Sequence, residues 1–263
     1  MMRPSVLVFA GSDPSGGAGL QADLHAIAAQ HAHALTVVTA VTVQDNDRVY
    51  SVNAVEPDLV LAQARAVSAK IEVAAVKLGI PGSVANARAI AEMLQELRQH
   101  NPALPVVLDP VLASGKGHTL ADGDAIEAVM ILLAHATLVL PNLPEASALC
   151  NGERRMEEQA VQLLAKCPNV LIKGGHGSGP EVVNVWFASE GQRTWKWPRL
   201  KGEFHGTGCT LAAAVAGQLA RGIALPEALD AAQAYVHRTL ASAYVIAAGQ
   251  RIPDRNTTFK EYT

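Results

Sequence analysis

Residues 5–32 read SVLVFAGSDPSGGAGLQADLHAIAAQHA, a pattern that indicates the class of fold. The segment Ser5–Ala10 is apolar almost throughout, as expected of a strand that is buried on both faces of a sheet. A glycine-rich turn follows, after which Ala18–Ala32 has the composition of a helix, rich in Ala, Leu and Gln. An apolar strand that leads through a short turn into a helix is the repeating unit of a parallel α/β sheet.

The same alternation of short apolar runs and longer helical patterns continues along the chain. Right-handed crossovers between such units place helices on both faces of the sheet. The sequence therefore predicts one α/β domain over residues 1–263, with a three-layer, doubly wound and mostly parallel sheet. The further predicted strands are Leu35–Val43, Ala75–Leu78, Val106–Asp109, Thr137–Leu140 and Val170–Lys173, with a hairpin of Val182–Phe187 and Thr194–Trp197. The further predicted helices are Asp58–Lys70, Ser83–Gln99, Ala121–Leu133, Glu157–Lys166, Gly208–Arg221 and Pro226–Ala247.

The composition argues against several classes of protein. Hydrophobic residues make up 49% of the chain, enough for a core, but the longest apolar runs are too short to cross a membrane. A net charge of −3 and an aromatic content of 4% argue against binding to nucleic acid. The N-terminal apolar run is short for a signal peptide. Three cysteines without a CxxC pair indicate neither disulfides nor zinc, so we expect a cytoplasmic protein.

The turn after the first strand, Gly11–Gly19, contains four glycines. Such a turn can direct backbone amides at an anion bound at a helix N-terminus. Its spacing matches neither a Walker A loop nor GxGxxG, so a turn without a ligand is the alternative. Asp23 is either a solvated helix residue or a carboxylate that faces this turn. Gln44, at the second strand's end, is either an ordinary polar residue or an amide that hydrogen-bonds a planar heterocycle.

Two further strand ends carry hard oxygen ligands. Val106–Asp109 is an apolar strand that ends in a carboxylate, which Pro110 holds at the edge of the sheet. Asn142 and Glu145 follow the next strand in the sequence PNLPE. Together with Asp109, they are side chains of the kind that binds Mg²⁺ directly or through water. The alternative is structural, because Asn142 and Glu145 have the spacing of a capping box.

Two features in the second half of the chain could bind an anion. Lys173 ends a buried strand, where a cation requires an anion or a carboxylate nearby. The sequence FHGTGCT at 204–210 leads into an alanine-rich helix, and Gly206 and Gly208 would let backbone amides form an anion-binding nest. Cys209 lies in the predicted first turn of that helix, where the helix dipole favours a thiolate.

These motifs together resemble those of the hydroxymethylpyrimidine and phosphomethylpyrimidine kinases of thiamine biosynthesis, in the ribokinase-like superfamily. They occur in the family's order and span nearly the whole chain. The resemblance implies a ribokinase-like fold, ATP as phosphoryl donor, Mg²⁺ and a homodimer. The matching segments are GSDPSGGAGLQADL at 11–24, VLDPV at 107–111, PNLPEA at 141–146, VLIKGGH at 170–176 and HGTGCTLAAAVA at 205–216.

The resemblance also implies roles for individual residues. The hydroxymethyl oxygen attacks the γ-phosphorus of ATP in line, Cys209 accepts or steers its proton, and an anion hole holds the phosphoryl oxygens. The implied catalytic residues are Gly206, Thr207, Gly208 and Cys209. The implied substrate-binding residues are Gly11, Asp23, Gln44, Ile80 and Val107. The implied ATP-binding residues are Lys173, Asn142 and Thr207, and the implied metal ligands are Asp109 and Glu145, assisted by Asn142.

The sequence departs from the family's pattern at two positions. Ile80 replaces a methionine, which keeps the apolar volume, so we expect the same class of substrate. Gln233 aligns with a lysine that family members can carry near the phosphates. An amide donates hydrogen bonds but cannot neutralise charge, so we expect a slower second phosphorylation, of the monophosphate.

Three alternatives remain open at the level of sequence. A pyridoxal kinase is one, because pyridoxine also offers a hydroxymethyl group on a small aromatic ring. The second is a non-catalytic ligand-binding or regulatory protein on the same fold. The third is a hydrolase with Cys209 as nucleophile and His205 as base, although the sequence places no acid to orient the histidine.

Overall fold

The computed structural model describes residues 2–112 and 125–256, whose strands form one nine-stranded sheet. The strand order is β3-β2-β1-β4-β5-β6-β7-β8-β9, and pairing is parallel from β2 through β7. The strands are β1 Ser5–Ser12, β2 His33–Gln44, β3 Val49–Ala54, β4 Val73–Leu78, β5 Val106–Leu108, β6 Leu138–Val139, β7 Asn169–Ile172, β8 Glu181–Ala188 and β9 Gly191–Pro198. The α-helices are α1 Gly19–Ala29, α2 Pro57–Ser68, α3 Val84–His100, α4 Ala125–Leu133, α5 Leu143–Leu149, α6 Met156–Leu164, α7 Thr207–Ala220 and α8 Leu225–Ala241.

The sheet separates two hydrophobic cores, as the alternating side chains of β1 illustrate. Leu7 and Phe9 pack in a cluster with α2, α3, α4 and α6, whereas Val6 and Val8 pack with α1, α7 and α8. All four side chains are fully buried. A strand buried on both faces has no polar positions, which explains the continuous apolar run of the sequence. The predicted three-layer, mostly parallel α/β fold is confirmed.

Antiparallel strands extend both edges of the parallel sheet. The predicted hairpin is present as β8 and β9, and β8 also pairs antiparallel with β7. At the other edge β3 pairs antiparallel with β2. The sequence analysis did not predict β3, because most of its side chains are exposed and its sequence, VYSVNA, has no continuous apolar run.

The helices differ from the predictions in two places, and one predicted helix lies partly outside the described residues. The short helix α5 was not predicted, although its capping box was recognised. Helix α8 ends at Ala241 rather than Ala247, because Tyr244 exchanges backbone hydrogen bonds with Ile252 and leaves the helical path. The first part of the predicted helix Ala121–Leu133, residues 121–124, lies outside the described residues, and the remainder is α4.

The strand order determines where a ligand can bind. Strand β1 lies between β2 and β4, so connections leave this point of the sheet in opposite directions. In open α/β sheets such a reversal opens a crevice beyond the carboxyl ends of the strands. Gly79, Asp109 and Lys173 each directly follow a strand at that edge. Within residues 2–112 and 125–256, no helix combines the length and apolar character needed to span a bilayer.

Candidate active site

A cleft of about 880 Å³ opens beyond the carboxyl ends of the parallel strands, a size suited to a small-molecule ligand. Most of the residues that the sequence analysis singled out lie on its surface. Those brought together there are Gly11, Gln44, Ile80, Asp109, Asn142, Glu145, Lys173, Gly206, Thr207, Gly208 and Cys209. Asp23 and Val107 are not among the residues that line the cleft, and both side chains are fully buried.

The centre of the cleft joins three segments that are distant in sequence. Lys173 Nζ donates to Asp109 Oδ1 at 2.8 Å. A Cβ on Gly208 would lie 2.9 Å from Lys173 Nζ and 3.4 Å from both carboxylate oxygens of Asp109, so a bare glycine lets the first turn of α7 approach the pair. Burial disfavours the charge of Lys173, but Asp109 and Glu145 outweigh it and raise its pKa above the usual value. A cation beside the unpaired amides of a helix N-terminus is an anion-binding arrangement.

The two glycine-rich turns touch each other at this point. Gly206, the residue before α7, is in the left-handed region with φ of 75°, and a Cβ there would collide with the Gly17 carbonyl oxygen. Gly19, at the start of α1, has φ of 55°, and a side chain there would collide with the Gly11 carbonyl oxygen. The helix N-termini of α1 and α7 therefore meet at the cleft because four glycines permit close backbone packing.

Two interactions that the sequence analysis missed hold these turns together. Asp13 accepts hydrogen bonds from the amides of Ser15 and Ala18 and lies 2.9 Å from His205 Nε2, which links the turn before α1 to the turn before α7. The position of Asp13 in a glycine-rich turn before a helix was a signal for such a role. The hydrogen bond to His205 joins residues 192 positions apart and left no pattern in the sequence.

Arg255 is the second interaction that was missed. Its side chain is buried, Nε donates to Thr210 Oγ1 at 2.9 Å, and Nη2 donates to the carbonyls of Gly17 and His205. A planar guanidinium can serve several acceptors at fixed angles, so it ties α7 to both turns. No motif surrounds Arg255, so no sequence pattern pointed to this contact.

Asp23 forms a buried ion pair beneath the cleft. Lys77 Nζ donates to Asp23 Oδ2 at 2.8 Å, and both side chains have no exposed surface. Burial disfavours the charge of Lys77, but Asp23, together with Cys209 and Asp109, raises the Lys77 pKa above its usual value. Asp23 Oδ2 is bonded to Lys77, whereas Oδ1 is buried without a hydrogen-bond partner among the described residues, and Asp23 is not one of the residues that line the cleft.

Val107 is the other implied substrate residue that lies away from the surface. It is the middle residue of β5 and its side chain points into the core that includes α7. Val106 and Leu108 point into the opposite core. The side chains of a strand alternate between faces, so Val107 supports α7 rather than lining the cleft.

The expected thiolate of Cys209 is not supported by the structure. Desolvation raises the pKa of Cys209 to about 12, and the carboxylates of Asp109 and Asp23 add to this shift. Lys77 and a hydrogen bond from the Gly19 amide lower the pKa, but they do not compensate. For this partly exposed residue, desolvation of the thiol outweighs the effect of the helix N-terminus, so the neutral form of the thiol is favoured.

The hydrolase alternative is not supported either. His205 Nε2 hydrogen-bonds with Asp13 Oδ2, which directs that ring nitrogen to the glycine turn. A nucleophilic cysteine requires a base within hydrogen-bonding distance and a low pKa, whereas Cys209 has a raised pKa.

Asn142 and Glu145, which the sequence offered as oxygen ligands, also form the capping box of α5. Asn142 Oδ1 accepts from the Glu145 amide and Glu145 Oε2 accepts from the Asn142 amide. Burial, with a contribution from Asp109, raises the pKa of Glu145 to about 7, although Lys173 opposes the shift. Two carboxylates that disfavour each other's charge are suited to a divalent cation. The described residues contain no cluster of three or more His, Cys, Asp or Glu that could hold a metal, so most ligands would be water and phosphate oxygens, as Mg²⁺ prefers.

The opposite end of the cleft offers an apolar wall and an oriented amide. A Cβ on Gly11 would lie 2.8 Å from Ile80 Cδ1, so the Ile80 side chain packs directly on the Gly11 backbone in this part of the cleft wall. Gln44 Nε2 donates to Thr42 Oγ1 at 2.7 Å, and that hydroxyl donates to the Ser12 carbonyl at 2.8 Å. The side-chain oxygen of Gln44, Oε1, is therefore the atom of this amide that can accept a hydrogen bond from a ligand.

The chain is similar to known proteins in both sequence and fold. A family model described as phosphomethylpyrimidine kinase matches residues 13–253. The chain is 38% identical over 260 residues to the hydroxymethylpyrimidine/phosphomethylpyrimidine kinase of Salmonella typhimurium, covering 96% of each protein. It is similar to the ADP complex of Bacillus subtilis pyridoxal kinase, with a TM-score of 0.85, 26% identity and coverage of 97% of this chain and 98% of that chain. It is also similar to phosphomethylpyrimidine kinase from Clostridium difficile 630, with a TM-score of 0.78, 29% identity and coverage of 90% and 100%.

The buried ion pair leads to a prediction about stability. Changing Lys77→Met leaves the Asp23 carboxylate buried without its partner, so we expect the free energy of unfolding to fall by about 3–5 kcal/mol. The double change Asp23→Leu with Lys77→Met removes both charges and should recover much of that loss. Lys70→Met, at an exposed lysine, is the control and should change stability by less than about 0.5 kcal/mol. Urea unfolding of the four proteins measures these differences, and equal stability of Lys77→Met and the control would contradict the prediction.

Proposed function

The chain belongs to the phosphomethylpyrimidine kinase family, and on that premise we propose that it transfers the γ-phosphoryl group of ATP to 4-amino-5-hydroxymethyl-2-methylpyrimidine and then to the monophosphate, in thiamine biosynthesis. It is accordingly a phosphotransferase of ribokinase-like fold, as its sequence predicted. The observation that carries the proposal is the contact of Lys173 and Asp109 with the bare first turn of α7. Phosphoryl transfer depends mainly on positioning and charge neutralisation, which this junction supplies.

The nucleotide's phosphates would bind at the centre of the cleft. Lys173 supplies positive charge, and the amides of Thr207, Gly208 and Cys209 supply donors at the start of α7. Gly206 completes the anion hole by allowing the close approach of the two turns. Asn142 and the Thr207 hydroxyl are proposed as further contacts with ATP.

Asp109 and Glu145 would hold Mg²⁺ at the edge of this site. The metal, when bound with ATP, neutralises charge on the phosphates. Binding would favour the ionised form of Glu145, whose pKa is raised in the free protein by burial and by Asp109. Asp109 would exchange part of its contact with Lys173 for the metal.

The pyrimidine would bind at the apolar end of the cleft. Gly11 and Ile80 supply a surface for the ring, and the Gln44 carbonyl oxygen can accept a hydrogen bond from the ring's amino group. Asp23 and Val107 are proposed to act indirectly, Asp23 by holding Lys77 beneath Cys209 and Val107 by supporting α7.

In the proposed reaction the hydroxymethyl oxygen attacks the γ-phosphorus in line, while the anion hole holds the oxygens of the transferred group. Cys209 steers the hydroxyl as a neutral thiol rather than accepting its proton as a thiolate, because its pKa is raised to about 12. The proton passes to an oxygen of the transferred phosphoryl group. This choice between the two roles rests on the surroundings of the thiol.

Three further features of the protein are proposals. We propose that residues 1–263 act as a single kinase domain, because one sheet carries every element of the site. We propose a homodimer in which β2 and β3 take part, because Val41, Val43 and Tyr50 are 52%, 54% and 58% exposed. A cytoplasmic location is consistent with three free cysteines, of which Cys150 and Cys167 are buried.

The first prediction of the proposal is the reaction itself. With ATP and Mg²⁺, the protein should phosphorylate the aminopyrimidine alcohol, and EDTA should abolish turnover because charge on the phosphates would no longer be neutralised. Pyridoxal is the matched rival substrate. It should react more slowly, because it lacks the amino group from which the Gln44 side chain can accept a hydrogen bond. Mass spectrometry of the products measures both reactions. Turnover that is unchanged in EDTA, or faster with pyridoxal, would contradict the proposal.

Cys209 can be tested by comparing two substitutions. Changing Cys209→Ala should lower kcat by about 10²–10³, the range typical of losing one hydrogen-bonding group that is positioned for the transition state. Changing Cys209→Ser should retain more activity than Cys209→Ala, because a neutral hydroxyl can also steer the substrate. Steady-state kinetics of both variants, with circular dichroism to verify folding, decides the matter. A Cys209→Ala variant with normal kcat would exclude the steering role and leave the backbone amides as the source of catalysis.

The second phosphorylation should be slower than the first. Its acceptor is itself a phosphate, and like charges at close range cost several kcal/mol, about 4 at 4 Å and an effective dielectric of 20. Gln233 lies on the cleft and cannot neutralise charge. Changing Gln233→Lys should therefore accelerate the second step more than the first, whose acceptor is neutral. Phosphorus NMR of diphosphate formed from synthetic monophosphate measures this, and equal rates of the two steps in the unmodified protein would refute the charge argument.

A further inference from the structure

A chain of three hydrogen-bonding groups leads from the end of β7 to the α8 wall of the cleft. The Gly174 amide donates to Asn184 Oδ1 at 3.0 Å, and Asn184 Nδ2 donates to Gln233 Oε1 at 2.8 Å. Asn184 and Gln233 are 8% and 3% exposed, so neither amide exchanges freely with water. We name this set, Gly174, Asn184 and Gln233, the amide relay.

The direction of the amide relay is fixed at its first member. A backbone N–H can only donate, so Asn184 must present its oxygen to Gly174 and its nitrogen to Gln233. Gln233 must then present its oxygen to Asn184, which leaves its Nε2 at the free end. The backbone amide of Gly174 thus sets the orientations of both side-chain amides, and no group at the cleft is needed to set them.

The free end of the relay lacks an acceptor. Among the described residues Gln233 Nε2 is buried and has no hydrogen-bond partner, although the residue lines the cleft. An unsatisfied buried donor costs free energy, which a ligand oxygen would recover. Trp197 Nε1, on the same cleft, also has no partner within the described chain. Its ring stacks on His237, one helical turn after Gln233, at a centroid distance of 5.0 Å.

The relay starts beside the residue that the proposed function assigns to the phosphates. Gly174 directly follows Lys173, and a side chain on Gly174 would collide with the Val183 carbonyl oxygen. Glycine therefore lets this turn lie against β8, where Asn184 follows Val183. The relay thus connects the phosphate end of the cleft, and not its pyrimidine end, to α8.

We infer that the amide relay fixes a hydrogen-bond donor, and only a donor, on the α8 wall, where Gln233 Nε2 binds a phosphoryl oxygen of the nucleotide and Asn184 is the positioning residue that sets its polarity. The inference rests on the proposed function for the identity of the nucleotide. It assigns to Asn184 a role in nucleotide affinity although that side chain is held within the protein.

The test compares ATP with inorganic tripolyphosphate, which has the phosphoryl oxygens but neither ribose nor base. Changing Gln233→Met should raise the KM for ATP and the Ki of tripolyphosphate by about tenfold or more, since a hydrogen bond to a charged group is lost. Changing Gln233→Glu should raise both further by placing a carboxylate oxygen at the free end. Gln218→Met is the matched control, because Gln218 is a buried glutamine whose amide bonds Gln30 away from the cleft, and both constants should stay unchanged.

Asn184→Asp tests the polarity itself. An aspartate accepts from both Gly174 and Gln233, so it should turn the Gln233 oxygen toward the cleft and raise both constants. If Asn184 acts through Gln233, the double variant Asn184→Asp with Gln233→Met should have a KM and a Ki no higher than those of Asn184→Asp alone. Independent effects would multiply. If the effects of the two substitutions multiply, Asn184 does not act through Gln233 and the inference is wrong.

Two other results would also overturn the inference. If Gln233→Met changes neither constant by more than about twofold, Nε2 contacts no ligand. If it affects ATP but not tripolyphosphate, the donor does not bind a phosphoryl oxygen. Tripolyphosphate binding to each variant, measured by calorimetry, does not depend on turnover. An unmodified protein that binds tripolyphosphate but phosphorylates no pyrimidine would therefore contradict the proposed function without contradicting the relay.

Discussion

The site depends on one contact, the approach of the first turn of α7 to the Lys173–Asp109 pair. Lys173 follows β7 and Asp109 follows β5, so the two ends are separated by a single strand, β6, and their spacing is set by the sheet. Gly208 allows the helix to reach them because it has no side chain. The cation and the helix amides are therefore already in place for the phosphates that the proposed function assigns to this site, and little reorganisation would be needed for binding.

Packing against the sheet fixes the direction of α7. The helix carries the run Leu211–Ala216, in which every residue is buried, and it contacts β1, β4 and β5. Alanine side chains add little thickness, so the helix axis can lie close to the strands. The hydrophobic core thus aims the N-terminus of α7 into the cleft, and the electrostatics of the site follow from the packing of apolar residues.

The sequence was sufficient for the sheet and for most of the cleft, because strand ends of a parallel sheet converge at one edge. It was insufficient wherever the outcome depended on a partner far away in the chain. Asp23 is paired with a lysine 54 residues distant, and the Cys209 thiol is kept neutral by burial and by carboxylates from two other segments. Val107 faces α7, which begins a hundred residues later in the sequence. The exposed strand β3 lacked the apolar run by which strands are recognised.

Arg255 follows both glycine turns in the sequence, and this position affects the order in which their contacts can form. Its guanidinium is the group that bonds to both glycine turns and to Thr210, and Tyr235 holds its backbone through a hydrogen bond of 2.9 Å to the carbonyl. The sheet, α1 and α7 are all translated before residue 255. Until that residue is added, the side-chain tie between the two turns is the hydrogen bond between Asp13 and His205. The second tie, which also includes Thr210, therefore forms only when a residue far downstream in the sequence is present.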